Sequence, residues 1–200
     1  MLLYATPPDW FAAATADLGG LLSDHLHAER KAAENALLLL RKYPHDRLFV
    51  ETLARLAHEE TSHVVQVSLL MQELGLAPRS DISNPYTRQL FTLMRQGEPA
   101  RKVDSLLVAA LIEARSHERL RLLAAGFAAL GAKGGAFAER FTKLADFYTV
   151  LANAEERHAE SFVALAERED SQHAVADRLT ALALSEATIV AALPMGPRVH

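Results

Sequence analysis

Two Glu-x-x-His pairs, Glu60/His63 and Glu155/His158, sit in the middle of stretches whose apolar residues recur with helical spacing. Glu29 and Glu113 occupy the same kind of position on two other helical stretches. A carboxylate or imidazole aimed at a hydrophobic core is costly unless something there neutralises it. Four carboxylates and two imidazoles facing one core are what a pair of divalent cations requires. A chain with this pattern is therefore constrained to bring four helices around a common centre.

The neighbours of each glutamate carry the case. Positions three, four and seven residues away share its helix face. Around Glu29 these are Leu22, His25, Leu26, Ala32, Ala33 and Ala36; around Glu60, Leu53, Leu56, Ala57, His63, Val64 and Val67. Around Glu113 they are Leu106, Ala109, Ala110, Ser116, His117 and Leu120; around Glu155, Tyr148, Leu151, Ala152, His158, Ala159 and Phe162. All four carboxylates point where the apolar side chains point. Glu59, Glu156 and Glu118 remain as alternative registers for Glu60, Glu155 and Glu113.

The chain has 200 residues, half of them hydrophobic, which suits one domain over residues 1–200. Ala and Leu dominate, and no run alternates Val, Ile and Thr, so the class is all-α. A short opening helix is expected from Asp9 to near Gly19-Gly20. Long helices are expected over about 21–43, 46–74, 101–130 and 137–167, and a last amphipathic helix over about 173–193. Residues 75–100 form a long connection with Pro78, Pro85, Gly97 and Pro99, enclosing a short helix near 87–95. Two helical hairpins joined by such a connection have the order of a ferritin-like four-helix bundle with a long crossover and extra N- and C-terminal helices. A plain up-and-down bundle uses short loops throughout.

Height gives an independent check. Glu29 lies 15 residues before Pro44 and Glu60 14 after Asp46; Glu113 lies 18 before Gly131 and Glu155 20 after Gly135. At about 1.5 Å of rise per residue, each pair matches to within roughly one turn. Each hairpin thus offers a lone Glu and a Glu-x-x-His, whose two side chains project from one face. Four carboxylates and two M²⁺ ions make a neutral buried cluster. Glu60 and Glu155 are expected to bridge, with Glu29 and His63 completing one metal and Glu113 and His158 the other. Oxygen and imidazole donors without sulfur suit iron or manganese. His25 and His117, four residues from Glu29 and Glu113, are candidates to orient those carboxylates. With 16 Glu and 9 His, chance supplies roughly 0.7 Glu-x-x-His pairs, so the doubled, height-matched arrangement is the specific signal.

No cysteine is present, which excludes disulfides, iron–sulfur clusters and thiolate-bound zinc, and fits a reducing, cytoplasmic setting. The first ten residues lack a basic region and a long apolar run, so no signal peptide is expected. No stretch is long and apolar enough for a membrane span. The formal charge of −4 argues against a broad nucleic-acid surface but leaves room for a local basic patch.

At the acidic positions the chain resembles the tRNA hydroxylase family that acts on 2-methylthio-N6-isopentenyladenosine, the MiaE type. The resemblance rests on Ala5-Thr6-Pro7 with Trp10, Asp24-His25-x-His27-x-Glu29-Arg30-Lys31-Ala32-Ala33, and Leu56-Ala57-x-Glu59-Glu60-x-x-His63. It continues through Glu98-Pro99-Ala100-Arg101-x-Val103-Asp104, Ile112-Glu113-Ala114-Arg115-Ser116-x-Glu118-Arg119, and Glu155-x-Arg157-His158. It implies an O2-dependent di-iron monooxygenase that hydroxylates the isopentenyl group of this nucleoside in tRNA. The family's iron ligands carry over onto Glu29, Glu60, His63, Glu113, Glu155 and His158, the set reached from the residues alone. Two iron ions, O2 as co-substrate and an external electron donor are implied. Without cysteine the chain has no iron–sulfur relay of its own, so a separate reductase is expected.

Ala33, Ala109, Ala110, Ala152 and Ala159 either leave room for a prenyl group or simply let helices approach closely. Arg30, Lys31, Arg41, Lys42, Arg101, Lys102, Arg115 and Arg119 are candidates for phosphate contacts. Tyr86 and Phe91 are candidates to stack on an extruded base. The main alternative is another ferritin-like di-iron protein, a ferroxidase or an oxidase of a different substrate. A peroxidase with a Cys-bound iron is excluded by composition. A radical-generating subunit would want a tyrosine seven residues after a Glu-x-x-His glutamate, where Val67 and Phe162 stand.

Overall fold

The computed structural model describes residues 1–199, and all regular structure among them is helical. The elements are α1 (Trp10–Thr15), α2 (Leu18–Lys42), α3 (Arg47–Glu73), α4 (Pro85–Thr92), α5 (Ala100–Ala132), α6 (Ala138–Ala166) and α7 (Gln172–Ala192). The boundaries follow local chemistry. The Asp46 side chain accepts the Phe49 N–H, Asn84 that of Tyr86, and Ser171 that of Ala174, so three helices start where an N-cap stands. Pro85 opens α4, where its missing N–H costs nothing. Gly75, Gly134 and Gly135 have positive φ in the turns after α3 and α5, a conformation that side chains resist.

The opening segment departs from expectation. α1 stops at Thr15, and Gly19 and Gly20 belong to the first turn of α2. The reason is Asp17, whose carboxylate accepts the Gly20 N–H and starts the new helix there. Glycine before a helical run is thus not a break when a capping carboxylate precedes it.

The contacts form two compact units, Ala12–Ser83 with Met195–Val199, and Met1–Phe11 with Asn84–Pro194. In the first, α2 and α3 form an antiparallel hairpin. Leu21, Leu22, Ala33, Ala36 and Leu39 of α2 and Phe49, Leu53, Leu56 and Val67 of α3 are buried. The start of the crossover lies along α2. His27 Nε2 contacts the Arg79 carbonyl at 2.8 Å, the Arg79 N–H donates to Ser23 Oγ, and Lys31 and Arg30 pair with Asp81. The Val199 N–H donates to Asp24.

In the second unit α5 and α6 form a longer hairpin, and α4 and α7 contact α5 and each other. Asp104, fully buried, receives Arg95 and Arg178 and so ties the end of the crossover and α7 to α5. Burial alone would raise its pKa, but the two guanidinium groups hold the carboxyl down at about 2. Phe127 stacks on Tyr148 and meets Phe11 edge-on, which seats the start of α1 on α5.

Candidate metal centre

Each hairpin buries one Glu–Glu–His triad. On α2 and α3, Glu29, Glu60 and His63 are buried, while Glu59 one residue away is exposed. On α5 and α6, Glu113, Glu155 and His158 are buried, while Glu156 is exposed. One ligand atom each from Glu29, Glu60 and His63 lies within 4.8 Å of the others, and the same holds for Glu113, Glu155 and His158. The helical spacing decides this: three residues turn a helix by about 300°, so the Glu and His of each pair share a face. Glu118, the alternative to Glu113, points elsewhere, its carboxylate accepting the Thr6 N–H at 3.0 Å and pairing with Arg115.

The geometry of the first triad is tight. His63 Nδ1 lies 3.2 Å from Glu29 Oε2 and 3.4 Å from Glu60 Oε2. Glu29 Oε1 is 2.6 Å from His25 Nε2, and His25 is wholly buried. Burial alone would raise the Glu29 pKa, but hydrogen bonds from His25 and His63 hold it well below the usual carboxylate range. Burial alone would push the His63 imidazole down, but the carboxylates of Glu29 and Glu60 outweigh it and carry it up to about 10. Two carboxylate oxygens thus converge on one imidazole nitrogen in a site closed to water. This donor set of oxygens and imidazole is compatible with iron or manganese.

His117 behaves differently from His25. Its Nδ1 lies 2.8 Å from the Ala152 carbonyl across the α5–α6 hairpin. Equal spacing from a glutamate therefore gives a carboxylate contact on α2 and a backbone contact on α5.

Several candidates for substrate contact are displaced by the structure. Arg115 is fully buried; it pairs with Glu186 through Nε and Nη2 at 2.9 and 3.0 Å, and donates to the Tyr4 carbonyl. It is therefore no phosphate ligand. Tyr86 is also buried, its hydroxyl donating to Glu186 at 3.0 Å, and is not available to stack on a base. Arg119 lies over Trp10. Arg30 and Lys31 are engaged by Asp81, and Lys102 by Glu169. Arg41 and Phe91 are exposed. The five small residues, Ala33, Ala109, Ala110, Ala152 and Ala159, are all buried within their hairpins. Glu186 escaped the sequence reading, although its neighbours Leu182, Ala183, Ile189 and Val190 carry the same signal as those of the four candidate glutamates. Its partner is an arginine.

The family model described as tRNA-(MS[2]IO[6]A)-hydroxylase (MiaE) matches residues 1–200. The chain belongs to this family. Among MiaE relatives, the tRNA 2-(methylsulfanyl)-N(6)-isopentenyladenosine(37) hydroxylase of Pseudomonas putida is 39% identical over 161 residues, covering 80% of this chain and 72% of that protein. The Salmonella typhimurium protein of the same name is 27% identical, covering 82% and 74%. Among solved structures, a Synechococcus protein described as having aldehyde deformylating oxygenase activity matches with a TM-score of 0.87 at 34% identity, over 100% of this chain and 94% of that one. The fold class of this MiaE chain is ferritin-like, with the long crossover between α3 and α5 and added helices at both ends.

Proposed function

We propose that this chain hydroxylates the isopentenyl group of 2-methylthio-N6-isopentenyladenosine in tRNA, as a single ferritin-like domain using a pair of irons. Glu29, Glu60, His63, Glu113, Glu155 and His158 would hold them. The observation that carries this reading is the full-length match to the hydroxylase family in a chain that buries a Glu–Glu–His triad in each of its two hairpins. The triads together hold four carboxylates and two imidazoles, so two divalent ions leave the buried cluster neutral.

When bound, the iron pair supplies O2 activation and attack on an unactivated C–H bond, with electrons from an external donor. The protein's own residues do the rest. His25 holds one oxygen of Glu29. The closely packed alanines and the aliphatic residues around each triad keep water from the reacting atoms. The nucleoside has to leave its stack to reach a buried centre, as for other enzymes that act on a base.

The test is the nucleoside composition of tRNA from the host with and without this gene. Loss of the hydroxylated nucleoside on deletion, with accumulation of its prenylated precursor, is the expected outcome. The reading fails if the nucleosides are unchanged in a host that makes the precursor. A second reading, oxygenation of an aliphatic aldehyde, is favoured by the similarity to the Synechococcus protein. Turnover of an aldehyde, but not of precursor tRNA, by the iron-loaded protein would favour it.

A further inference from the structure

We infer that His25 is a positioning residue that reserves one oxygen of Glu29, so that Glu29 presents a single oxygen, Oε2, to its metal. The inference rests on the metal-centre reading above and adds a coordination mode for Glu29.

Three observations carry it. His25 lies one helical turn before Glu29 on the same face of α2, and its Nε2 is 2.6 Å from Glu29 Oε1, with both side chains buried. The other oxygen of Glu29, Oε2, is the one that faces His63 Nδ1, at 3.2 Å. A carboxylate with one oxygen engaged by a buried imidazole has its plane and its remaining lone pairs fixed, which favours single-oxygen ligation over the chelating mode. In the second hairpin the nearby histidine follows its glutamate instead of preceding it. His117, four residues after Glu113, is 2.8 Å from the Ala152 carbonyl and braces the hairpin.

The consequence is that His25 would preorganise the half-site of Glu29 and His63 for its iron. Loss of such an outer partner typically costs about 10–100-fold in metal affinity. The experiment uses the full chain loaded with two Fe(II) per molecule under anaerobic conditions. Release to a ferrous chelator is followed in wild type, His25→Leu, His25→Ala and His25→Gln, with Mössbauer spectra of the 57Fe-loaded forms. Wild type is expected to show a slow phase of iron release. His25→Leu and His25→Ala should accelerate it by about 10–100-fold and alter the iron spectrum. His25→Gln, whose amide donor reaches a similar position, should restore most of the slow phase.

A merely packing role for His25 predicts the opposite order, with the apolar Leu tolerated better than Gln. That order overturns the inference, as does an unchanged slow phase in His25→Ala. If His25→Leu fails to fold, His25→Ala and His25→Gln decide the matter by the same comparison. Failure of the metal-centre reading looks different: wild type itself then retains no iron. Failure of the tRNA reading leaves the slow release in place.

Discussion

At His63 two carboxylate oxygens approach one imidazole nitrogen, and the charge there has to be balanced by a proton or a metal cation. This gives the metal-free protein a defined pH dependence. His63 is raised from 6.5 to about 10 in the fold, so the stability it contributes is complete below about pH 6.5 and is lost as pH rises toward 10. Denaturant unfolding of chelator-treated protein should therefore show falling stability across that window, and His63→Leu should flatten the fall. Iron uptake should release a proton from this site over the same range. At this scale the sequence was legible to the single residue. Glu60 and Glu155 are buried while Glu59 and Glu156 are exposed, because one residue turns a helix by about 100° and only one register keeps the apolar stripe inward. The choice of partner for Arg115 was not legible. An arginine two residues after a buried glutamate reads as a solvated residue until α7 supplies Glu186.

Among the elements, α5 is the one to which most others are tied. Arg115 on it joins Glu186 of α7, whose carboxylate also accepts the α4 hydroxyl of Tyr86, and reaches the N-terminal segment through the Tyr4 carbonyl and Thr6. Arg115→Met should cost about 3–5 kcal/mol, because it leaves the Glu186 carboxylate buried and uncompensated. The double change Arg115→Met with Glu186→Leu should recover most of that loss, since removing both charges also removes their desolvation cost. Equilibrium denaturation of the two variants measures this, and equal destabilisation in both would contradict it. A second prediction concerns Gly126, where an added Cβ would sit 2.3 Å from the Phe11 ring. Gly126→Ala gains about 1 kcal/mol of helix propensity. It loses roughly 1–3 kcal/mol by displacing Phe11 from α5. The expected net result is a lower melting temperature and faster proteolysis ahead of α2. The helices themselves were readable from periodicity and caps to within a few residues. The one clear departure, at Gly19-Gly20, arises because the Asp17 cap outweighs the helix-breaking tendency of the glycine pair.

For the molecule as a whole, the proposed irons are part of the stability as well as the chemistry. A ligand that binds only the folded state stabilises it by about 2.7 kcal/mol at a hundredfold excess over its dissociation constant. Stripping the metal should therefore lower the melting temperature by roughly 5–10 °C for a chain of this size. Restored Fe(II) should reverse the loss, and a calorimetric scan of chelated and reloaded protein measures it. Among the described residues, no helix is long and apolar enough to cross a membrane.

Sequence alone determined the helices, the hairpin order with its long crossover, and the six inward-facing glutamates and histidines. Those features depend on periodicity within one segment and on spacing from a turn. Tertiary structure decided which buried charges meet a partner in the chain. Arg115 with Glu186 and Asp104 with two arginines were fixed only by folding. The physical reason is that a charge inside a core must be compensated. The one-dimensional pattern reveals the need for compensation, but only the packing of distant elements selects the group that meets it.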